Sequence, residues 1–422
     1  KAIKLAIQYF THLIKIIPRS ESNMKIKNDK CGIVTIPPKD KTKGKNSDLH
    51  LYVSYKMEKD IDYLAFALQC QHVTGIGPTH GSIIFNLEKM PQFKENALIE
   101  FEDLMEAVIH EITHILGFSE KDIPKWILPK ETTHAFVTTK IKGVDTVLLK
   151  TPNVLRFARD YFNCPLLEGM PLQHLGGKGS QISHWPNTII QNEYMSTSTS
   201  ITQAHFSGFT TNLLRDTGYY AEINASMEEQ MFYGKGKGCE YVMRKCDTAF
   251  REYCNPKTDV GLCDFYHHGF SNCRIDSYND SDCNNLFAYR NGKCWDVNSE
   301  FNTDTYRKQN GTKFGTDSKC FNGTLIVKKY KKPQKVQGNC YQYECNPNGQ
   351  QLTIKVDQFQ IICTKNLEQK TLYNYLGYIQ CPENIQEFCG FKKICQNFCS
   401  ANGICLNNKC ICLKGFYGVD CS

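Results

Sequence analysis

A chain of 422 residues is too long for one ordinary core, so roughly two to four domains are expected. Hydrophobic residues make up 41% and charged residues 22%, which excludes a disordered polymer. The net charge of +7 is spread thinly, with dense runs only at KDKTKGK (Lys39–Lys45) and KKYKK (Lys328–Lys332). This argues against a nucleic-acid binder, which needs a continuous basic stripe, and both runs read as solvated loops or sheet-edge protection.

The opening KAIKLAIQYFTHLIKII places Ala2, Leu5, Ala6, Phe10, Leu13 and Ile17 at helical spacing. This amphipathic helix is too short and too charged to span a bilayer. It has no signal-peptide cleavage site, so a secreted product would be a processed form whose targeting and pro-segments lie outside these residues. CGIVTIPPKD is a β-rich run stopped by Pro37-Pro38. DLHLYVSY puts Leu49, Leu51, Val53 and Tyr55 on one buried face of a strand. DYLAFALQC suits a buried strand, and GIGPTHGSIIFN a glycine-rich turn followed by a strand over Ser82–Asn86. ENALIEFEDLMEAVIHEITHILGF is a long helix with Leu104, Val108, Ile112, Ile115 and Leu116 as its buried stripe and Gly117 as its stop.

Residues 1–119 therefore read as an α+β subdomain, a sheet packed on two helices. Residues 120–240 form a central subdomain with helices over TPNVLRFARDYFNC and SGFTTNLLRDTGYY, separated by the glycine-rich LGGKGSQISHW. Residues 241–390 are cysteine-rich with little periodicity, a region held by disulfides more than by a core. Residues 391–422 read as a small separate module.

Of the 22 cysteines, only Cys31, Cys70 and Cys164 precede Cys239. A reducing cytosol would leave so many thiols free, so an extracellular or cell-surface location with disulfides is expected. The sequons at Asn224, Asn279, Asn310 and Asn322 fit that compartment as glycosylation candidates. Near the C-terminus, Cys395, Cys399, Cys405, Cys410, Cys412 and Cys421 precede or flank Gly415-Phe416-Tyr417-Gly418. The unit resembles an epidermal-growth-factor-like module. The resemblance implies pairs Cys395–Cys405, Cys399–Cys410 and Cys412–Cys421, where spacing alone leaves 15 connectivities open. It serves as a spacer or as a contact for surface or matrix partners.

HEITHILGFSE (His110–Glu120) carries the chemistry. Residues four apart share a helix face, so His110 and His114 can bind one metal ion, with Glu111 beside them to take a proton from an activated water. The bland alternative is two polar histidines on an amphipathic helix. A catalytic zinc needs a third protein ligand, and Glu120, His134, His174, His184 and His205 are open to that role.

HEITHILGFS, then SHW at His184, then NEYM at Met195 resemble the leishmanolysin family of metzincin zinc endopeptidases. PPKDKTKGKNSDLHLYV, ALQCQ, GSIIFN, LLRDTGYY and GKGKGCEYVMRKC each resemble family segments, in family order, and the likeness covers about residues 1 to 250. The family displaces its third histidine by an inserted segment, and 69 residues separate His114 from His184 here. The resemblance implies one zinc ion on His110, His114 and His184, with Glu111 as general base and Gly117 as the turn after the helix. It implies that Met195 is an apolar floor beneath the metal. It also assigns GSIIFN (Gly81, Ser82, Ile83, Ile84, Phe85 and Asn86) as the edge strand that pairs with a peptide substrate. Cys31 and Cys70 resemble a family disulfide, and Cys164 is expected to pair beyond residue 230, most simply with Cys239. Glu193 matches the family's E-x-M, its role open, and STSTS after Met195 departs from the family's usual proline and alanines. His267 and His268 read as surface residues.

The implied product is a secreted or surface-displayed zinc endopeptidase acting on polypeptides. It meets a membrane only through an anchor outside these residues. The alternative is a catalytically silent surface or adhesion scaffold on the same fold.

Overall fold

A computed structural model describes residues 1–17, 24–90, 97–127, 136–176, 179–197, 203–275, 283–330 and 335–422. His134, Asn279 and the end of KKYKK lie outside the described residues. The chain divides into two compact units. The first comprises residues 1–229, 236–244 and 398–422, and the second residues 230–235 and 245–397.

The first unit begins with α1 (Ala2–Leu13), which buries Leu5, Ala6, Tyr9, Phe10 and Leu13. The helix stops a turn earlier than its apolar spacing suggests. Ile14 is already extended, and β1 (Ile14–Ile16) pairs antiparallel with β10 (Tyr220–Ile223), leaving Ile17 48% exposed. The β-branched run Ile14, Ile16, Ile17 suits a strand better than another helical turn, and β10 supplies the partner.

A small hairpin, β2 (Lys30–Cys31) with β3 (Val34–Thr35), leads through Pro37 into α2 (Pro38–Thr42). The next strands are β4 (His50–Lys56), β5 (Ala65–Val73) and β6 (Gly77–Asn86). They form a mixed sheet in the order β4-β6-β5, with β4 parallel and β5 antiparallel to β6. The face of β4 expected to be buried is the open one, since Val53 and Tyr55 are 47% and 62% exposed. The opposite face carries Tyr52, which packs with Ile26, Cys31 and Ile36 and donates from its hydroxyl to Asp40 at 2.9 Å. The segment around the hairpin covers that face, and Cys31–Cys70 ties it to β5.

The long helix α3 (Leu98–Leu116) packs on β5 and β6 and buries the predicted stripe. Gly81 permits the approach, because a Cβ there would lie 2.6 Å from Cγ2 of Ile115. Beyond it lie the sheet β7 (Phe136–Ile141), β8 (Val144–Leu149) and β9 (Met170–Pro171), then α4 (Pro152–Phe162), α5 (Gly208–Asp216) and α6 (Gly238–Met243). The Asp216 carboxylate accepts the backbone N–H groups of Asn153 and Val154, which satisfies donors at the start of α4. Cys164–Cys239 closes a loop of 75 residues between α4 and α6. Replacing both cysteines with serine is expected to lower stability by about 4 kcal/mol, the loop-closure entropy for that span. A urea midpoint unchanged from the parent would refute this.

Residues 398–422 follow the second unit in the chain. They pack within the first unit, where Gln8 Nε2 donates to the Cys412 carbonyl (2.9 Å) and Asn407 Nδ2 to that of Ser226 (3.2 Å). Lys1 Nζ lies 5.8 Å from the Phe416 ring. Cys399–Cys410 and Cys412–Cys421 are paired, and Cys395 and Cys405 are both disulfide-bonded.

The second unit has more core than its sparse periodicity suggests. A six-stranded sheet runs Phe359–Cys363, Leu352–Val356, Gln337–Cys345, Ser318–Gly323, Ile379–Gln380, Gln369–Lys370. Phe321, Tyr341, Leu352, Ile354 and Val356 are fully buried. Disulfides Cys246–Cys283, Cys254–Cys273, Cys263–Cys320, Cys294–Cys340, Cys345–Cys389 and Cys363–Cys381 brace it.

His267 and His268 are not surface residues. His268 is buried with Nδ1 2.9 Å from the Asp264 carboxylate, and His267 is half-buried with Nδ1 2.6 Å from the Cys320 carbonyl. These polar partners make the burial tolerable. Lys319 is buried nearby, donating to the Tyr266 carbonyl at 3.0 Å, and burial pushes its ammonium from 10.5 down to about 7. Below pH 7 folded and unfolded chains both carry this charge. Between pH 7 and 10.5 only the unfolded chain holds the proton, so stability rises with pH by about 1.4 kcal/mol per unit. Denaturant unfolding of Lys319→Met across that window is expected to lose this slope.

Candidate metal centre

His110 and His114 stand one turn apart on α3, and the segment over residues 179–197 brings His184 to them. The three Nε2 atoms form a triangle with edges of 3.0, 3.1 and 3.2 Å. Each Nδ1 faces a backbone carbonyl: Tyr194 for His110 (2.5 Å), Phe118 for His114 (2.7 Å) and Ser180 for His184 (2.9 Å). A carbonyl only accepts, so each Nδ1 carries the proton and each neutral ring turns a bare Nε2 lone pair inward. Burial keeps the rings neutral. It lowers His110 and His114 and, with His110 close by, takes His184 down to about 3.

Three lone pairs converging without a proton between them make a cation site. The edges are close to the roughly 3.3 Å separation of nitrogens around a tetrahedral zinc ion at about 2.0–2.1 Å. Thus the donor set fits zinc, and the carbonyls behind the rings are the usual supports of metal-ligating histidines.

Glu111 follows His110 and is buried, with its carboxyl pushed up to about 8 by burial and opposed by a hydrogen bond from the Ala67 backbone N–H. Ala67 belongs to β5, so the strand facing the general-base candidate is β5. This corrects the assignment of Gly81–Asn86 as the edge strand. Those residues lie in β6, which pairs along their whole length with β4 on one side and with β5 on the other. No ladder position there is left for a peptide. The continuous apolar run Ile83-Ile84-Phe85 fits such a central strand, buried on both faces.

Gly117 ends α3 at φ +146°, a conformation that glycine alone adopts readily, and Thr217 leaves no room for a Cβ. Glu120 is exposed and does not join the triangle; its backbone N–H donates to Ser183 Oγ at 3.0 Å, next to His184. Met195 is fully buried, and its carbonyl accepts the Trp185 N–H at 2.9 Å. His174 and His205 do not join the triangle, and His205 Nδ1 lies 3.2 Å from the Asn192 carbonyl.

Some residues escaped the sequence reading. Glu106, one turn before His110, accepts the N–H groups of Gln203 and Ala204 at 2.9 and 3.0 Å. Its i−4 spacing from a ligand was a usable signal. The carbonyls of Tyr194, Phe118 and Ser180 carry none. Among the sequons, Asn310 is fully buried with Nδ2 donating to the Tyr306 carbonyl, so a glycan has no room there. Asn224 is half-buried and accepts the Ser226 N–H at 3.0 Å; Asn322 is half-buried and accepts the Cys263 N–H at 2.9 Å.

Fold and site together define the class: an α+β protein in which two histidines of the long helix and a third from residues 179–197 converge as a candidate cation site beside a mixed sheet. The leishmanolysin family model matches residues 1–397. The chain is 27% identical over 357 residues to the ciliated left-right organizer metallopeptidase of Danio rerio, covering 80% of this chain and 55% of that protein. It is 30% identical over 240 residues to a leishmanolysin-like peptidase of Drosophila pseudoobscura pseudoobscura, covering 48% and 34%. A leishmanolysin homolog of Crithidia fasciculata is 29% identical over 255 residues, covering 59% and 37%. The chain belongs to the leishmanolysin family. It spans from about a third to about half the length of these relatives.

Proposed function

We propose that this chain is the peptidase part of a zinc metalloendopeptidase, secreted or displayed at the cell surface. The convergence of three unprotonated Nε2 atoms beside the buried Glu111 carboxyl carries the reading. His110, His114 and His184 would hold the ion, and the buried Met195 would form part of an apolar floor. When bound, zinc would supply Lewis acidity and acidify a water at the open position. Glu111 takes the proton from the attacking water and hands it to the leaving amine. Ala67 N–H orients that carboxyl. The outer edge of β5 offers main-chain groups to an extended polypeptide.

The disulfides suit an oxidising compartment, and among the described residues no helix is long and apolar enough to cross a membrane. The terminal segment with its disulfides is the place for surface or matrix partners, as an epidermal-growth-factor-like module. Asn224 and Asn322 stay glycosylation candidates. The reading is tested on the activated protein with an unfolded protein substrate such as reduced casein. Cleavage is expected to stop on chelation and return with zinc. A protein that holds no metal and cleaves nothing would be the silent scaffold instead.

A further inference from the structure

Glu193 is 2% exposed and sits two residues before Met195. Its carboxylate accepts from four donors. Oε2 takes the Met195 N–H at 2.5 Å, and Oε1 takes Thr210 Oγ1–H (2.5 Å), Ser207 Oγ–H (2.9 Å) and Ser207 N–H (3.3 Å). The Met195 N–H belongs to the same peptide group as the Tyr194 carbonyl, which receives the His110 Nδ1–H at 2.5 Å. One peptide is thus held between a buried carboxylate on its N–H and a ligand-type imidazole on its oxygen. On the other side of the carboxylate, Thr210 Oγ1 accepts the Trp185 Nε1–H at 3.0 Å, next to His184.

We propose that Glu193 is a positioning residue for the metal centre that acts on His110 through the Tyr194–Met195 peptide. The inference rests on the reading of His110 as a metal ligand. Hydrogen bonds in series polarise one another, most strongly where water is excluded. Negative charge at the N–H end makes the carbonyl a stronger acceptor for Nδ1–H, and that makes Nε2 a better donor to a cation. A carboxylate bonded directly to a ligating histidine does the same. Here the effect is relayed over one peptide group, which also fixes the orientation of the ring. His114 supplies an internal contrast. Its acceptor is the Phe118 carbonyl, and the N–H of that peptide, on Ser119, donates to the neutral Gly117 carbonyl.

Glu193→Gln in the whole chain tests the proposal. The amide cannot satisfy all four donors, and its NH2 group placed at Oε2 meets the Met195 N–H donor to donor. With Co2+ as probe, the dissociation constant is expected to weaken about 10–100-fold, the usual cost of losing such a support, with displaced visible d–d bands. A folded variant with the parent's affinity and spectrum would overturn the proposal. A second measurement needs no variant. In the zinc-loaded parent, the His110 Nδ1 proton is expected to resonate downfield of that of His114, and coincident or reversed positions would overturn it. If instead His110→Ala binds Co2+ as tightly as the parent, the metal-centre reading itself falls, a result distinct from failure of the relay.

Discussion

Replacing Glu111 with alanine is expected to leave zinc bound and to lower peptide hydrolysis by about 10²–10⁴-fold, the usual contribution of a positioned general base. The ligand triangle does not include this side chain, and its backbone stays inside α3, where alanine is the best helix former. Metal content therefore stays near one ion per chain while turnover collapses. The substitution removes a buried carboxyl whose charged form burial disfavours, and with it that desolvation cost. The variant is expected to unfold at the same or a higher denaturant concentration. Full hydrolysis by metal-loaded Glu111→Ala would remove the glutamate from the mechanism, and a variant without metal would make it a ligand.

His184→Ala is expected to lose zinc as completely as His110→Ala or His114→Ala. All three rings contribute one Nε2 at nearly equal separation, and a catalytic zinc site with two protein ligands left is not retained. His174→Ala, ten residues earlier and outside the triangle, is expected to keep parental zinc content. Zinc measured after dialysis against a weak chelator separates the outcomes. Retention in His184→Ala together with loss in His174→Ala would reassign the third position. Glu120→Ala is expected to keep its metal too, because that residue contributes its backbone N–H alone, to Ser183.

The readable part of this site was its local part. His110, Glu111, His114 and Gly117 lie within eight residues, and helical periodicity alone places two imidazoles on one face. His184 is 70 residues from His114, and only the likeness of SHW and NEYM to a known family pointed to it. Strand order was not local information. GSIIFN and ALQCQ both read as strands, yet which one lies at the edge depends on β4 returning parallel to β6. The same limit hid the burial of β4. Its Leu-Val-Tyr alternation is genuine, but Tyr52 faces the Cys31 hairpin, and that covering exists only in three dimensions. In the cysteine-rich region, the in-out alternation of Leu352–Val356 was present and was overshadowed by the disulfide signal.

The docking of residues 398–422 against α1 bears on how the chain is made. The first unit is completed by residues that leave the ribosome only after the whole of the second unit. Contacts of such long sequence separation form late and slowly. During synthesis the helix that later meets Cys412 stays without that cover while the disulfides of the intervening unit are formed. A nascent chain released at residue 397 would contain His110, Glu111, His114 and His184, yet leave Gln8 and Lys1 without Cys412 and Phe416. A check that reads exposed α1 would therefore report on the arrival of residues 398–422, more than 200 residues beyond His184.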